Sequence, residues 1–185
     1  MSNSKKISEL KISKLKKRPA SSRSFLPGPF IFATAGTGPY QFNRLFEYLD
    51  EIVSKEPRYR VLAQIGSSTY TPKNYEYLKF VTKEKFEQLM KKAQIIVGTG
   101  SAGTTIECVI HRKPYIILPR RVRFGEGVND SSVSIAKMFE KRGLAIAAHD
   151  RKSLEDAIKK AENLKIKYNK DIKLAKKIDE YLKNI

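Results

Sequence analysis

The sequence predicts an α/β protein built on a doubly wound parallel sheet of about six strands. Six short apolar segments alternate with segments whose apolar residues recur at helical spacing. A stretch rich in glycine, serine and threonine also follows one apolar segment and leads directly into a helical pattern. Such alternation is typical of a parallel sheet with right-handed crossovers and helices on both faces.

The predicted strands are short and rich in Ile, Val, Leu, Phe and Tyr, which favour extended structure. They comprise residues 30–35, 60–66, 75–81, 95–97, 114–119 and 144–148. The predicted helices comprise residues 42–54, a segment capped by Thr82, residues 104–111, a segment capped by Asn129 or Asp130 and ended by Gly143, residues 152–163, and residues 164–183. This order of elements predicts a Rossmann-like sheet.

Residues 95–107 are the stretch most suggestive of a ligand site. Residues 95–97 form a predicted strand, and the three glycines within 98–103 make a loop whose backbone a ligand can approach closely. The helix that opens at Thr104 points free N–H groups and a positive dipole end at this loop, which suits a diphosphate. The alternative is a capping box from Thr104 to Glu107, in which Glu107 satisfies the helix's own N–H groups.

Four loops are predicted at the same edge of the sheet as this glycine-rich stretch. They comprise residues 36–40, 66–74, 98–103 and 119–129, and three of them are rich in Gly, Ser, Thr or Arg. In doubly wound sheets, ligands bind outside the carboxyl ends of the strands, where the strand order reverses. The sequence therefore predicts a binding site built from several loops. Arg120, Arg121 and Arg123 either meet phosphate or lipid headgroups there or form a solvated basic loop.

A chain of 185 residues is long enough for one domain with a substantial core. No apolar segment approaches the roughly 20 residues of a membrane-spanning helix, and the Lys-rich start lacks the apolar core of a signal peptide. We therefore expect a cytoplasmic protein. The single cysteine, Cys108, excludes an internal disulfide framework and is predicted to lie in the core. His111 and His149 are too few to suggest a metal centre. We expect neither a metal nor a cofactor.

The formal net charge of +18 is concentrated at the two ends of the chain. Residues 1–28 carry eight basic residues against one acidic residue, and residues 151–185 carry eleven against six. This balance suits nucleic acid or an anionic membrane surface, although Lys-rich surfaces without a dedicated partner are also common. We interpret residues 1–28 as a basic N-terminal extension, either an amphipathic membrane segment or a tail. The sequence contains no recognised nucleic-acid-binding motif that would support nucleic acid as the partner.

Five motifs, in order and at their spacing, resemble the C-terminal domain of family 28 glycosyltransferases over about residues 30–150. They are Ala33–Gly38, Gln64–Ser68, Gly103–Glu107, Lys113–Arg120 and Arg123–Glu126. The resemblance implies one half of a GT-B glycosyltransferase, the half that holds the nucleotide sugar. It also implies a nucleotide-sugar-binding α/β domain at 29–150, followed by C-terminal helices at 151–185 that can contact a partner.

The resemblance implies a UDP-sugar site in the predicted cleft. Its residues are Gly36, Thr37, Phe80, Val81, Thr99, Ser101, Gly103, Thr104, Thr105, Glu107, Asn129, Asp130, Ser131 and Ser132. By this resemblance, residues 80–81 hold the uracil, Glu107 accepts the ribose hydroxyls, and residues 103–105 meet the diphosphate. Residues 129–132 contact the donor sugar, and residues 36–37 line the same cleft.

Two departures from the family pattern bear on the donor sugar. The family often has a histidine where this chain has Thr99, and it commonly has a His-Gln or Gln-Gln pair where this chain has Ser131 and Ser132. The serine side chain is shorter than that of histidine or glutamine and makes fewer hydrogen bonds. No catalytic residue is assigned, because Glu107 is the carboxylate that stands out in the predicted cleft and it already has a role.

The resemblance is greatest to single-domain subunits of two-part enzymes. It implies a UDP-sugar-binding subunit that transfers a hexosyl group (GlcNAc, glucose or glucuronate type) to a lipid-linked acceptor. A membrane-anchored partner subunit would supply the acceptor site, and the chain would sit peripherally at the inner face of the membrane. Two alternatives stay open: a degenerate, non-catalytic scaffold or regulatory subunit of such a complex, and a basic nucleic-acid-binding protein. The apolar stripe of the last predicted helix, 164–183, either contacts the partner or packs on its own domain.

Overall fold

The computed structural model describes residues 28–164, in which six parallel strands form one sheet. The strands are β1 (Phe30–Thr34), β2 (Arg60–Gln64), β3 (Glu76–Leu78), β4 (Ile95–Gly98), β5 (Tyr115–Ile117) and β6 (Ile146–Ala147). The helices are α1 (Asn43–Lys55), α2 (Lys83–Lys92), α3 (Ala102–Ile110), α4 (Ser131–Lys141) and α5 (Arg151–Glu162). The strand order is β3-β2-β1-β4-β5-β6, so the order reverses between β1 and β4.

Helices cover both faces of the sheet. Successive strand residues point to opposite faces, so Ile31 and Ala33 join the apolar cluster under α1 and α5, while Phe32 joins the cluster under α2, α3 and α4. Burial of both faces explains why the strands are apolar at nearly every position. Cys108 of α3 lies in the second cluster and is 1% exposed, which confirms its prediction as a core residue. Burial raises the pKa of its thiol well above the usual value.

The predicted fold class is confirmed, and every predicted strand is present, five with shorter bounds and β4 one residue longer than the predicted 95–97. The predicted cap of α2 is also confirmed, because the Thr82 hydroxyl accepts a hydrogen bond from the Lys85 N–H at 3.3 Å. Helix α5 packs its apolar side chains on its own sheet. The predicted last helix (164–183), apart from Leu164, and residues 1–27 of the predicted N-terminal extension lie outside the described residues. The division into an extension, a domain and C-terminal helices therefore stays a prediction.

A buried ion pair joins the loop after β5 to the start of α1. The Arg44 guanidinium donates to both carboxylate oxygens of Glu126 at 2.9 Å, and the Glu126 side chain is fully buried. Arg44 also donates to the Pro119 carbonyl, and the Arg121 N–H donates to Glu126. A buried bidentate pair with additional hydrogen bonds compensates for the desolvation of both charges. The pair fixes the loop after β5 against the start of α1, about 80 residues away in sequence, at one edge of the sheet.

We expect Glu126→Ala to lower the free energy of unfolding by about 3–5 kcal/mol, because it leaves the Arg44 charge buried and unpaired. Urea unfolding of the full chain measures this. Glu51→Ala is the matched control, since Glu51 is 59% exposed and lies 3.4 Å from Arg151. The free energy of unfolding of Glu51→Ala is expected to fall by about 1 kcal/mol or less. Equal losses in the two variants would contradict the importance of the buried pair.

A second ionic cluster joins the end of α5 to the turn before β2. Glu162 accepts two hydrogen bonds from Arg58, at 2.7 and 2.8 Å, and one from the Tyr59 hydroxyl at 2.6 Å. Burial acts to raise the pKa of Glu162, but the hydrogen bonds from Arg58 and Tyr59 outweigh it and lower the pKa below 4.5. The cluster therefore ties α5 to the amino-terminal edge of the sheet most firmly when Glu162 is ionised.

The pH dependence of Glu162→Gln tests this cluster. A carboxylate with a lowered pKa in the folded protein stabilises it above the unfolded pKa, and this contribution is lost as the pH falls through the folded value. We expect the variant to be less stable than the parent at pH 7, by about 1 kcal/mol or less because Arg58 is partly exposed. The difference should narrow below pH 4.5. Urea midpoints measured from pH 7 to below 4.5 check this, and a difference independent of pH would contradict it.

Candidate functional site

A cleft of about 760 Å³ lies at the carboxyl edge of the sheet, where the strand order reverses. Strands β1 and β4 are direct neighbours there, and the loops that follow them diverge toward opposite faces. Residues 35–38 after β1 and 99–101 after β4 form facing walls of the cleft. Its volume falls within the roughly 300–1,000 Å³ typical of small-molecule sites.

Ten of the fourteen residues predicted from sequence line this cleft. They are Gly36, Thr37, Val81, Thr99, Ser101, Gly103, Thr104, Glu107, Ser131 and Ser132. These residues come from the ends of three strands and the starts of two helices, which the sheet topology brings to one edge of the sheet. Their roles toward a ligand stay predictions.

The first turn of α3 forms one wall of the cleft. The helix begins at Ala102, and Ser101 occupies its N-cap without a side-chain bond to the backbone N–H groups of the turn. Instead the Ser101 hydroxyl donates to the Thr104 hydroxyl at 3.1 Å. The first N–H groups of a helix have no partner within the helix. Because Gly103 and Thr104 line the cleft, this turn offers N–H donors and a positive dipole end to a ligand there.

The capping-box alternative from Thr104 to Glu107 is wrong. Because α3 begins two residues before Thr104, Thr104 lies inside the first turn and Glu107 lies in the second. Glu107 instead pairs with His111 one turn later, with 3.2 Å between carboxylate Oε2 and imidazole Nε2. The Glu107 side chain keeps 30% of its surface exposed and lines the cleft. Its carboxylate therefore has the reach to accept hydrogen bonds from a ligand hydroxyl.

A buried tyrosine supports the floor of the glycine-rich loop. The Tyr115 side chain on β5 is 1% exposed, and its hydroxyl accepts a hydrogen bond from the Gly100 N–H at 2.9 Å. Gly100 has φ of +82°, and a Cβ added there would meet Ile117 at 3.0 Å. Burial raises the pKa of Tyr115, so the hydroxyl stays protonated. The loop is thus held in one conformation before any ligand arrives.

Arg120 lines the cleft, and its guanidinium donates hydrogen bonds to backbone carbonyl groups of the surrounding loops. It donates to the carbonyls of Ala35, Tyr40, Gln41 and Glu126 at 2.7–3.1 Å, and it lies over the Phe42 ring at 5.0 Å. Burial lowers the pKa of Arg120, and Glu126 opposes this shift. The carbonyl contacts join the loops after β1 and β5. Arg121 and Arg123, by contrast, lie on the outer part of the loop.

Four predicted site residues lie outside the cleft lining, each for a local reason. Phe80 is 45% exposed and precedes the lining residue Val81. Thr105 is buried, and its hydroxyl donates to the Ser101 carbonyl. The side-chain amide oxygen Oδ1 of Asn129 accepts from the Ser131 N–H, and the Asp130 carboxylate accepts from the Val122 N–H. Both side chains thus stabilise the loop before α4.

The cleft also contains residues that were not assigned from the sequence. They are Ala35, Gly38, Tyr40, Gln64, Lys83, Phe86, Glu87, Gly100, Arg120 and Ile135. Lys83, Phe86 and Glu87 share the face of α2 that turns toward the cleft, at the i, i+3 and i+4 spacing of one helix face. The sequence shows that these residues share a helix face, but not that this face turns toward the cleft.

Gln64 lies at the deep end of the cleft. It is 2% exposed, and its amide nitrogen donates to the Gly36 carbonyl at 3.3 Å. Its amide oxygen has no hydrogen-bond partner within residues 28–164. The carbonyl contact fixes the side chain against the loop after β1.

Two negative observations apply to the part of the chain that the structure describes. No group of three His, Cys, Asp or Glu side chains within 28–164 is arranged to hold a metal ion. None of the helices in the same range has the length and apolarity needed to cross a bilayer.

A doubly wound parallel sheet with a glycine-rich helix start at its switch point defines the Rossmann-like class of α/β domain. Within that class, residues 30–184 match the glycosyltransferase family 28 C-terminal domain, and the chain belongs to this family. The family resemblance noted in the sequence is thereby confirmed. No curated protein sequence matches the chain.

Solved structures of similar fold include the glycotransferase of kitacinnamycin (TM-score 0.59, 16% identity, 90% of this chain and 41% of that one). CalG4, the calicheamicin glycosyltransferase, is also similar (TM-score 0.56, 14% identity, covering 85% of this chain and 39% of that one). A third is the UDP-GlcNAc 2-epimerase of Methanocaldococcus jannaschii, solved with UDP-GlcNAc and UDP (TM-score 0.53, 17% identity, covering 85% of this chain and 45% of that one). These likenesses show the fold. The chain spans less than half the length of each of these proteins.

We expect Tyr115→Phe to lower the free energy of unfolding by about 2 kcal/mol, because it leaves the buried Gly100 N–H without its acceptor. Amide exchange at Gly100 should also become faster in the folded protein. Tyr77→Phe is the control, since Tyr77 is half-buried and its hydroxyl makes no hydrogen bond within 28–164. Equal stability losses and unchanged exchange at Gly100 would contradict the supporting role of Tyr115.

Proposed function

We propose that this chain binds a UDP-sugar in the cleft and supplies the donor half of a glycosyltransferase. The observation that carries the proposal is the position of the cleft, at the switch point of the sheet and against the first turn of α3. The family assignment supports it. The donor is the substrate, and no further cofactor is required by the proposal.

The diphosphate is proposed to bind the N–H groups of Gly103 and Thr104 and the hydroxyl of Ser101. These groups line one wall of the cleft at the positive end of the α3 dipole. During transfer the UDP leaving group develops negative charge. Fixed N–H dipoles stabilise that charge without having to reorganise, which is the electrostatic contribution expected of a donor site.

The nucleoside is proposed to lie along α3 and toward α2. Glu107 is one turn beyond Thr104, about 4.5 Å along the helix axis, which is a suitable distance for a ribose attached to the diphosphate. Its carboxylate would accept hydrogen bonds from the two ribose hydroxyls. Val81 and Phe86 offer half-buried apolar surface for the flat uracil ring, and Lys83 and Glu87 lie beside them.

The sugar is proposed to lie near the start of α4. Ser131 and Ser132 both line the cleft there, but the Ser132 hydroxyl donates to the Arg120 carbonyl at 3.0 Å. Ser131 is exposed and is the hydroxyl more available to a sugar. A site with so few polar groups discriminates weakly between hexoses. UDP-GlcNAc, UDP-glucose and UDP-glucuronate are therefore all candidate donors.

The acceptor and the general base are proposed to come from another polypeptide. The carboxylates that line the cleft are Glu87 and Glu107, and both lie in the part assigned above to the nucleoside. Transfer to a hydroxyl usually requires a base at the acceptor. A membrane-anchored partner that carries a lipid-linked acceptor would complete the enzyme, with this chain held peripherally at the membrane. A non-catalytic scaffold is the second candidate, favoured because the Ser132 hydroxyl is used in a hydrogen bond to the Arg120 carbonyl.

Thermal unfolding of the full chain with UDP, the three UDP-sugars, GDP and ADP tests the donor site. A ligand at about 100 times its Kd adds about 2.7 kcal/mol to the free energy of unfolding. We expect uridine diphosphates alone to raise the midpoint. Glu107→Ala should weaken their affinity by roughly tenfold or more, because it removes charge-assisted hydrogen bonds.

Two variants separate ligand binding from changes in fold stability. Glu47→Ala removes an exposed carboxylate of α1 away from the cleft and should leave UDP affinity unchanged. His111→Gln removes the partner of Glu107 but keeps its carboxylate, and it should also retain binding. Equal midpoint shifts with ADP, GDP and UDP would contradict the proposed uridine site. Binding without sugar transfer by a reconstituted pair would favour the scaffold.

A further inference from the structure

The loop that connects β5 to α4 (residues 118–130, hereafter the β5–α4 loop) exposes an unusual amount of apolar surface. Seven large apolar side chains are exposed within 28–164, and three of them lie in this loop. Val122 is 45% exposed, Phe124 44% and Val128 74%. Isolated exposed apolar residues are common, but a concentration of them in one loop indicates a contact surface.

The loop carries two cations, Arg121 and Arg123, and one acid, Asp130, at its surface. Arg121 and Arg123 interleave with the apolar residues, and the Arg123 guanidinium lies over the Phe124 ring at 4.7 Å. Glu126 is fully buried against Arg44. The Asp130 carboxylate accepts from the Val122 N–H at 2.8 Å and lies 4.0 Å from Arg121. The loop thus combines apolar groups with cations, and its acids are paired.

The conformation of the loop keeps these apolar side chains exposed. Residues 122–124 form one 3₁₀ turn, closed by a hydrogen bond from the Gly125 N–H to the Val122 carbonyl. The Gln41 amide donates to the Phe124 carbonyl at 2.7 Å. On either side of the turn, the Pro119 carbonyl accepts a hydrogen bond from Arg44 and the Glu126 carbonyl accepts one from Arg120. The turn is therefore fixed outside the apolar core.

We propose that the β5–α4 loop binds the surface of an anionic lipid bilayer. Val122, Phe124 and Val128 would enter the boundary between headgroups and acyl chains, while Arg121 and Arg123 contact lipid phosphates. Basic and apolar side chains interleaved on one exposed turn suit this interface. The net charge of +18 adds long-range attraction to an anionic surface. Such binding needs no nucleotide and would bring the cleft mouth close to lipid.

The chain contains no tryptophan, so a single introduced tryptophan reports on one position. Phe124→Trp places it in the loop. Ile110→Trp, at the end of α3 and 61% exposed, is the matched control at the opposite edge of the sheet. The probe is vesicles of phosphatidylcholine with about a quarter phosphatidylglycerol. We expect the emission of Phe124→Trp to shift to shorter wavelength and to be quenched by lipids brominated in their acyl chains.

The emission of Ile110→Trp should neither shift to shorter wavelength nor be quenched by the brominated lipids. No shift for Phe124→Trp, or equal shifts for the two variants, would overturn the proposal and assign vesicle binding to other basic segments. A shift of Phe124→Trp that occurs without vesicles and grows with protein concentration would also overturn it, because the surface would then contact protein.

Co-sedimentation with the same vesicles tests the individual contributions. We expect the double variant Val122→Ser with Phe124→Ser to partition roughly tenfold less, and Arg123→Gln roughly fivefold less. Met138→Ser removes a comparably exposed apolar side chain of α4 and should partition as the parent does. Unchanged partitioning of the double variant would overturn the proposal. The midpoint shift with UDP, measured on the same proteins, shows separately whether the fold and the donor site are intact.

Discussion

The arrangement of the cleft depends on the buried pair of Arg44 and Glu126. The loop after β5 is long, and the sheet alone would not determine its path. The ion pair attaches that loop to the start of α1, and Arg120 then attaches it to the loop after β1. Both connections end near the wall of the cleft that faces α3. The shape available to a ligand is therefore determined by electrostatic contacts outside the cleft as well as by the strands beneath it.

Because Arg120 and Arg44 are engaged in structural contacts, they are not available to bind an anionic ligand in the cleft. Four hydrogen bonds to backbone carbonyls occupy the Arg120 guanidinium, and Glu126 neutralises Arg44. The cleft of a strongly cationic protein thus has little free positive charge from these arginines. The backbone N–H groups and dipole of α3 remain as the more available anion-binding elements. Their geometry is fixed by the helix, whereas flexible lysines at a surface would lose conformational freedom on binding.

Much of the fold was predictable, because strands buried on both faces are apolar at nearly every position and the helices between them show regular apolar spacing. The glycine-rich turn after β4 was predictable for a similar local reason. The start of α3 was not, because Ala102 and Gly103 are weak helix signals and Thr104 with Glu107 imitates a capping box. Phe80 and Thr105 lie outside the cleft lining although their neighbours Val81 and Thr104 line it, since neighbouring positions point in different directions. Arg120, Gln64 and the cleft face of α2 depend on contacts between distant segments, which a local pattern does not contain.

The edges of the sheet have a consequence for association between molecules. The outermost strands, β3 and β6, have only three and two residues. A short edge strand offers few unpaired N–H and C=O groups to a strand from another chain, so it is a poor template for edge-to-edge aggregation. In the described part of the chain, the sheet is therefore poorly suited to extend across two molecules. Association is better served by side-chain surfaces, which can be reversed more readily than a continuous ladder of backbone hydrogen bonds.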